Sequence, residues 1–304
     1  MDEFVDHRLE VSAEAAGRLD RFVASSLGRS RRFAMDAIER GLVAVDGRRA
    51  RKGDLVRTGQ QVSVRVPRLE LVPQPELPLE VVYEDASVVV VSKPSGVPTH
   101  PLRAGERGTL ANALAGRWPE CASASRDPRE GGVAHRLDTP TSGLVVAARD
   151  RASWESLRRQ FSERTVRKEY LALASGRLSG PVMVDTPIAG QGRMRAVEDE
   201  GLVESGEARE AHTRVVVERA FDRWTLVRCV ITTGVMHQIR VHLAHLGCPV
   251  AGDDRYGGPS PEGLERLFLH SAALGFDHPV TGERLEFESP LPSDLAACLA
   301  NLAG

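Results

Sequence analysis

Residues 135–148 read His135-Arg136-Leu137-Asp138-Thr139-Pro140-Thr141-Ser142-Gly143-Leu144-Val145-Val146-Ala147-Ala148. The apolar run that ends this stretch predicts a short buried strand, and the polar residues before it predict a turn. The Asp138 carboxylate is therefore expected on a turn at the edge of a hydrophobic core, flanked by Arg and His. Such a carboxylate is typical of a catalytic site, whereas the alternative interpretation is an ordinary polar turn. The rest of the chain has to distinguish these two interpretations.

The composition is that of a soluble globular protein with room for about two domains. The chain has 304 residues, of which 41% are hydrophobic and 27% are charged, and both fractions are ordinary. No apolar segment approaches the roughly 18 residues that span a bilayer, and the acidic N-terminus lacks the apolar core of a secretory signal. The cysteines form no CxxC pair, which argues against a zinc site or a disulfide framework; they are Cys121, Cys229, Cys248 and Cys298. We therefore expect a cytoplasmic protein that binds neither a membrane nor a metal ion.

Positive charge is concentrated near the N-terminus. Residues 16–68 contain 13 Lys and Arg residues against five Asp and Glu residues, whereas the rest of the chain contains 27 against 37. Because a basic module is attached to an acidic body, this distribution predicts a nucleic-acid partner. Arginine supplies 37 of the 40 basic residues, a bias that we attribute to the nucleotide composition of the gene.

The basic module has its own predicted secondary structure. Apolar residues at helical spacing predict two helices, over residues 18–27 and 31–40, with Ser30 as the N-cap of the second. A strand with an Asp-Gly turn follows over residues 43–48, and a second strand over residues 61–66 closes the module. The predicted order is thus helix, helix and hairpin.

This order resembles the small RNA-binding domain named for ribosomal protein S-four, over residues 16–66. The resemblance implies that the exposed cations of the module bind RNA, namely Arg29, Arg31, Arg32, Arg48, Arg49, Arg51 and Lys52. The alternative is a solvated basic module with a protein partner. Four prolines in the segment that follows predict an extended spacer. We therefore expect an S-four-like domain over residues 1–67, a proline-rich linker over 68–78 and a second domain over 79–304.

Two segments of the second domain carry further candidate residues. Residues 167–173 predict a strand that includes Tyr170, whose flat ring suits stacking on a nucleobase, although a lone Tyr in a strand is more often core. Residues 232–243 predict a loop that turns into a helix, with His237 and Arg240 one turn apart. A metal site on this helix is disfavoured, because it lacks the pair of His at i and i+4 with a nearby Glu.

Five sequence blocks together resemble the RluA-type pseudouridine synthases from about residue 79 to residue 295. The blocks are residues 135–143, 168–172, 237–242, 252–257 and 289–292. The HRLDxxTSG block is highly specific, and the large-subunit rRNA branch of this family commonly carries an S-four-like domain. The resemblance implies a mixed α+β fold around a mainly antiparallel sheet, with the active cleft across the middle of the sheet.

By this resemblance the chain isomerises uridine in RNA to pseudouridine without a cofactor. Asp138 is the reacting carboxylate, Arg240 is its ion-pair partner, and Tyr170 lies against the uracil and assists removal of the C5 proton. Ile239 forms an apolar wall for the base, and Arg136 fills the gap that a flipped-out uridine leaves. The other predicted substrate-binding residues are His135, His237 and Gln238.

One departure from the family leaves the substrate open. The family usually has Gly-Arg-Thr before His-Gln-Ile-Arg, and this chain has Gly-Val-Met at residues 234–236. The basic domain favours large-subunit rRNA, and tRNA is the alternative. A non-catalytic RNA-binding or ribosome-assembly factor is disfavoured by the complete set of Asp138, Tyr170 and Arg240. A nucleobase glycosidase is disfavoured because no second acid is paired with Asp138. We expect a monomer whose partner is RNA.

Overall fold

The computed structural model describes residues 4–29, 31–67, 71–103, 105–190, 192–199 and 201–303. The chain divides into two compact units, residues 1–70 and residues 71–304. Ser30, the predicted N-cap, and residues 68–70 of the predicted linker lie outside the described residues. Within those ranges, no helix is both long enough and apolar enough to cross a membrane.

The N-terminal unit packs two helices against a small antiparallel sheet. Its elements are β1 (Phe4–Glu10), β2 (Gly17–Arg18), α1 (Leu19–Ser26), α2 (Arg31–Glu39), β3 (Val43–Val45), β4 (Arg48–Arg49), β5 (Leu55–Val56) and β6 (Gln61–Pro67). The strand order is β1-β6-β3-β4, and β2 pairs with β5. Phe22, Val23 and Ile38 of the helices share one core with Val62 and Val64 of β6. Both predicted helices are confirmed to within one residue at each end, whereas the sequence analysis missed β1, whose charged residues hide its pairing with β6.

The second unit is mixed α+β, as predicted. Its elements are β7 (Glu80–Glu84), β8 (Val88–Lys93), α3 (Leu110–Arg117), α4 (Cys121–Ala124), a 3-10 turn (Pro128–Glu130), β9 (Ser142–Ala148), α5 (Arg151–Ser162), β10 (Arg167–Ser175), β11 (Val182–Val184), β12 (Ile188–Ala189), β13 (Arg195–Ala196), α6 (Gly201–Glu204), β14 (Ala208–Arg209), β15 (Thr213–Ala220), β16 (Trp224–Ile231), α7 (Gln238–His245), β17 (Leu269–Asp277), β18 (Arg284–Glu288) and α8 (Ser293–Ala303). The buried strand predicted after the Asp138 turn is β9, and the strand predicted over residues 167–173 is β10.

The main sheet has the strand order β11-β15-β16-β10-β17-β9-β8-β7, and β18 also pairs with β17. Neighbouring strands are antiparallel except β9 and β17, which are parallel. A separate small sheet has the order β13-β12-β14. The predicted mainly antiparallel sheet is thus confirmed, and its one parallel pair lies at the end of the Asp138 turn.

The neighbouring strands β8 and β9 are buried on both faces, which is why they read as continuous apolar runs. Val89, Val91 and Val145 point into one core, which α3 and α7 also enter. Val88 and Val146 point into a second core, which α5 covers. Because β9 lies inside the sheet between β17 and β8, the turn before it opens away from both sheet edges.

Residues 71–78, which the sequence analysis assigns to an extended linker, pack against α3. Leu71 is buried beside Ala111, and the Gln74 backbone N–H donates to the Asn112 carbonyl oxygen at 2.9 Å. This segment belongs to the second unit rather than forming a free spacer, since its side chains find partners on α3.

The junction of β9 and β17 depends on Gly143. Its φ is +112°, and a Cβ at this position would lie 2.2 Å from the Ser271 carbonyl oxygen. Gly143→Ala is expected to lower the free energy of unfolding by about 3 kcal/mol or more, since backbone strain and overlap with a rigid strand add together.

Urea unfolding measures this loss, and Gly282→Ala is the matched control. Gly282 also has a positive φ, of +73°, but a Cβ there meets open space. Its replacement is expected to cost about 1 kcal/mol. Equal losses in the two variants would contradict the steric account of Gly143.

Candidate active site

The Asp138 turn is held by the segment that follows β8. The backbone N–H of Gly96 donates to the Thr139 carbonyl oxygen at 2.9 Å. The Thr99 hydroxyl donates to the Leu137 carbonyl oxygen at 2.8 Å and accepts from the Leu137 N–H at 3.2 Å. These bonds position the turn without using the Asp138 carboxylate, which stays available for other partners.

Lys93, at the end of β8, ties the same two segments together. Its side chain is fully buried, and Nζ donates to the carbonyl oxygens of Pro94 (2.8 Å), Val97 (2.7 Å) and Thr139 (3.2 Å). Burial lowers the pKa of Lys93 to about 7, although the charge of Asp138 opposes this shift. Three carbonyl acceptors match the three donors of an ammonium group, so Lys93 has a structural role at the turn.

Arg240 joins the Asp138 turn to the segment after α7. Its Nη1 donates to Asp138 Oδ2 at 3.1 Å, while Nε and Nη2 donate to Asp253 Oδ2 and Oδ1 at 2.7 and 2.8 Å. The side chains of Arg240, Asp253 and Asp138 are 8%, 0% and 18% exposed. Burial alone would lower the pKa of Arg240, but Asp253 and Asp138 together raise it above its ordinary value. Arg240 is therefore a permanent cation that Asp253 orients toward Asp138.

Tyr256 and His237 complete the surroundings of this ion pair. The Tyr256 ring lies 5.1 Å from Arg240 Cζ, and its hydroxyl is hydrogen-bonded to His237 Nδ1 at 2.8 Å. His237, with a left-handed φ of 59°, precedes α7 and places Nε2 3.8 Å from Asp138 Oδ2. Burial lowers the pKa of His237, with Asp138 opposing, so the imidazole is mostly neutral at pH 7 and does not compete with Arg240 for the carboxylate.

Tyr170 lies on β10 opposite Ser271 of β17, next to a shift in strand register. Such bulges redirect side chains, and the Tyr170 side chain, in a residue that is 7% exposed, lines the cavity described below. Burial and then the charge of Asp138 raise the pKa of Tyr170, while a hydrogen bond with Ser271 opposes the shift. The phenol is therefore neutral at physiological pH. A neutral phenol suits stacking on a base, and the assistance of Tyr170 in removing the C5 proton stays a prediction.

Asp138, Arg240, Tyr170 and Ile239 line one cavity of about 560 Å³. Cavities of this size hold small organic ligands. Arg136 also lines the cavity and is exposed, and in the described ranges its guanidinium has no hydrogen-bond or ion-pair partner. The fold thus brings all eight predicted site residues of the second unit to one cavity, because His135, His237 and Gln238 line it as well.

His135 faces the protein rather than the cavity centre. Its Nε2 accepts the Val146 backbone N–H at 3.2 Å, and its ring stacks on Phe161 with centroids 4.7 Å apart. Burial lowers the pKa of His135 to about 3. A neutral ring bound to β9 acts as a support for the turn, which differs from the predicted substrate contact.

Gln238 is likewise used by the protein. Its Oε1 accepts from the Thr233 hydroxyl (2.8 Å) and the Val235 N–H (3.1 Å), and its Nε2 donates to the His212 carbonyl (2.9 Å) and the Thr213 hydroxyl (3.0 Å). An amide side chain offers two donors and two acceptor positions. All four are occupied, so in this structure Gln238 positions the start of α7 instead of offering its amide to a substrate.

The departure at residues 234–236 gives the cavity an apolar border. Val235 packs with Ile188, Met194 and Tyr256, whereas Met236 is 39% exposed and lines the cavity. The Arg and Thr that the family usually has at these two positions are replaced here by apolar side chains.

The histidines of α7 make protein contacts of their own. His242 is buried, with Nδ1 bonded to the Thr213 hydroxyl at 2.8 Å and Nε2 to the Thr186 carbonyl at 2.9 Å. Among the described residues, no group of three or more His, Cys, Asp or Glu is arranged to hold a metal ion.

The predicted RNA-binding cations of the N-terminal unit lie on α2, on the β3–β4 hairpin and next to them. Six are exposed and Arg29 is half-buried. Arg31 forms an ion pair with Asp20 at 2.8 Å, and Lys52 with Glu39 at 3.3 Å. The surface is therefore basic but partly neutralised by its own carboxylates.

The sequence analysis assigned no role to three buried residues of the second unit, Asp253, Lys93 and Lys168. Lys168 lines the cavity and is 6% exposed. Only three of the 40 basic residues of the chain are lysines, and this rarity is a sequence signal that could have singled out Lys93 and Lys168. Asp253 lies in the block of residues 252–257 that contributes to the family resemblance, but the block alone gives it no role.

Comparison with known proteins gives consistent results for both units. The family profile described as RNA pseudouridylate synthase matches residues 87–245, and the S4 domain profile matches residues 17–62. The two profiles agree with the resemblances that the sequence motifs indicate for the two parts of the chain.

Relatives match over nearly the whole chain. Identity to ribosomal large subunit pseudouridine synthase D of Xanthomonas campestris is 37% over 292 residues, which cover 90% of this chain and 85% of that protein. Identity to an uncharacterized RNA pseudouridine synthase of Chloroflexus aurantiacus is 41% over 300 residues, covering 95% and 91%. The solved structure of human RNA pseudouridylate synthase domain containing 1 is similar, with a TM-score of 0.56 and 30% identity, over 73% of this chain and 87% of the human one.

Proposed function

Because this chain belongs to the RNA pseudouridylate synthase family, we propose that it isomerises specific uridines of large-subunit rRNA with Asp138 as the reacting carboxylate. The chain is an RNA pseudouridine synthase with an S4 domain. The observation that carries the assignment of Asp138 is its 3.1 Å ion pair with Arg240 on the wall of the cavity that Tyr170 lines.

The reaction moves uracil from one attachment point to another on the same ribose. The bond between C1′ and N1 breaks, and a bond between C1′ and C5 forms. C5 loses its hydrogen as a proton, and N1 gains a proton. Because no electrons are gained or lost overall, acid–base groups suffice, and we propose that no cofactor takes part.

An ionised Asp138 can promote this exchange in two ways. It attacks C1′ to form a covalent ester with the ribose, or it removes a proton from the sugar. Both routes need a charged carboxylate beside the ribose. Arg240 supports this state, because a cation held by Asp253 stabilises the carboxylate and limits its rotation.

The remaining site residues contact the base or the space that it leaves in the RNA. The neutral Tyr170 ring stacks on the detached uracil, and Ile239 offers an apolar wall that keeps the base close to C1′. A uridine in folded RNA has to leave its stack to reach the cavity. Arg136 is exposed and has no partner among the described residues, and it fills the space that the uridine vacates.

Large-subunit rRNA is the substrate favoured by the relatives. The Xanthomonas protein carries that substrate in its name, and the basic N-terminal unit suits a large structured RNA; tRNA is the second candidate. We place the reaction in the cytoplasm, where ribosomal RNA is found. One chain supplies every residue invoked here, which supports a monomer.

A tritium-release assay tests the proposal. The protein is incubated with in vitro transcripts of large-subunit rRNA and of tRNA that carry tritium at uracil C5. Release is expected from the rRNA transcript, because C5 loses its hydrogen. Release from tRNA alone would transfer the assignment to tRNA, and binding without release from either RNA would favour the non-catalytic alternative.

The N-terminal unit is expected to supply salt-sensitive affinity. Replacing four of its exposed arginines by Gln should weaken rRNA binding by about tenfold or more and reduce the slope of log Kd against log salt by up to about 3; they are Arg32, Arg48, Arg49 and Arg51. Binding is measured from about 50 to 300 mM KCl, because affinity from phosphate contacts falls steeply as salt rises over this range.

The matched control replaces four exposed arginines of the second unit outside the cavity, namely Arg126, Arg177, Arg219 and Arg223. This variant is expected to keep the affinity within about twofold, since scattered surface charges contribute little. Equal losses in both variants would mean that net charge, rather than the N-terminal surface, determines binding.

A further inference from the structure

We propose, building on the RNA substrate proposed above, that Lys168 and Arg209 bind a backbone phosphate of the RNA strand that enters the cavity. Lys168 lies on β10, two residues before Tyr170, and Arg209 ends β14. Both side chains line the same cavity as Asp138. The chemistry described above uses neither of them.

Lys168 is a buried cation without a counter-ion. It is 6% exposed, its Nζ donates to the Thr233 carbonyl oxygen at 2.9 Å, and it forms no ion pair with a carboxylate in the described ranges. Burial lowers the pKa of Lys168 to about 8, with a smaller contribution from Arg164, so the ammonium is still the main form at pH 7. A buried charge without a partner is unfavourable, and an anion in the cavity would supply that partner.

Lys168 differs in this respect from Lys93. Lys93 Nζ donates three hydrogen bonds to carbonyl oxygens of the protein, whereas Lys168 Nζ donates one. Two donors of Lys168 are therefore left for a ligand.

The cations of the site outnumber its carboxylates, because Arg240 pairs with both Asp138 and Asp253 and further cations line the cavity. Asp138 is the one acid among the described residues that line the cavity, and it is paired with Arg240, which also holds Asp253. The other basic residues on the wall are Arg136, Arg158, Lys168 and Arg209. This excess of positive charge favours the polyanionic backbone of RNA over a neutral ligand.

Arg209 and Lys168 line the same cavity. Lys168 donates to the Thr233 carbonyl oxygen, and the chain returns to this turn at His212, three residues after Arg209, whose N–H donates to the Thr233 hydroxyl at 2.9 Å. Arg209 is exposed, and among the described residues its guanidinium has no hydrogen-bond or ion-pair partner. One buried and one exposed cation on the wall of a single cavity can contact different oxygens of one phosphate.

The salt dependence of RNA binding tests the proposal independently of turnover. Binding of an in vitro large-subunit rRNA transcript is measured in an Asp138→Asn background, with Lys168→Met, Arg209→Gln or the control Arg195→Gln added. Arg195 is exposed on β13 of the same small sheet and does not line the cavity. Lys168→Met and Arg209→Gln should each weaken binding by about tenfold and reduce the salt slope, by about 0.7 for the two together because they share one phosphate, whereas Arg195→Gln should change neither.

A second measurement identifies the phosphate. Synthetic RNAs carry a neutral methylphosphonate at one linkage at a time around the uridine that the enzyme modifies. One linkage should weaken binding of the protein with Lys168 by about tenfold and have a smaller effect on Lys168→Met, in which only Arg209 still contacts that phosphate. If every linkage weakens both proteins equally, Lys168 does not bind a phosphate and the proposal is overturned.

The outcomes separate this proposal from the proposed function. Unchanged affinity and salt slope in both Lys168→Met and Arg209→Gln overturn the phosphate site even if uridine is isomerised normally. Absence of tritium release overturns the proposed reaction, while the salt slopes still report on the phosphate site. Thermal unfolding confirms that Lys168→Met is folded, and the exposed Arg209 provides the test if it is not.

Discussion

Asp138→Asn is expected to lower the rate of pseudouridine formation by more than about 10³-fold, while the affinity for RNA stays within about twofold. The amide has nearly the size of the carboxylate but can neither attack C1′ nor accept a proton from the sugar. Arg240 keeps its two hydrogen bonds to Asp253, so the guanidinium stays in place and the free energy of unfolding changes by less than about 1 kcal/mol. Tritium release and filter binding measure the two effects on one preparation.

Asp254→Asn is the matched control for this substitution. Asp254 follows Asp253 but is exposed and has no ion pair in the described part of the chain, so its replacement should leave both rate and affinity unchanged. A rate above about one-tenth of the wild-type value in Asp138→Asn would show that Asp138 is not the reacting carboxylate. A parallel loss of affinity would make it a binding group instead.

Arg240→Lys is expected to reduce the rate by about 10²-fold or more, because a guanidinium fork bridges two carboxylates and a single ammonium reaches only one well. Arg240 gives two hydrogen bonds to Asp253 and one to Asp138. Because the Asp253 side chain is fully buried, we expect the ammonium group of the substituted lysine to pair with Asp253. Asp138 then loses its ion-pair partner. The lost charged hydrogen bonds should also lower the free energy of unfolding by about 2 kcal/mol.

Steady-state rates and urea unfolding test this prediction, with Arg255→Lys as the control. Arg255 is exposed, and its replacement should change stability by less than about 0.5 kcal/mol. A normal rate in Arg240→Lys together with the expected loss of stability would show that Arg240 serves the fold and not the reaction.

The features that could be predicted from the sequence are those with local causes. The turn before β9 and the helices α1 and α2 follow from apolar periodicity and from residues that begin or end an element. The position of Asp138 at the edge of the core follows from the apolar run next to it. The pairing of β9 with β17 does not, because it joins residues 128 positions apart and depends on contacts that no local pattern records.

The site was partly predictable for the same reason. Asp138, Tyr170 and Arg240 received their roles through motifs. Asp253 lies in a motif as well but received no role, since its burial depends on how the segment after α7 folds back. His135 and Gln238 were assigned to the substrate because they belong to motifs. Their hydrogen bonds to β9 and to the start of β15 could be seen only once the strands were in place.

Nucleotide-resolution mapping of pseudouridine in the large-subunit rRNA and tRNA of a strain that lacks this protein tests the central claim most directly. The account predicts that one or more rRNA sites lose pseudouridine, that the intact protein restores them, and that Asp138→Asn at equal abundance does not. Restoration by Asp138→Asn, or an unchanged map in both RNAs, would contradict it.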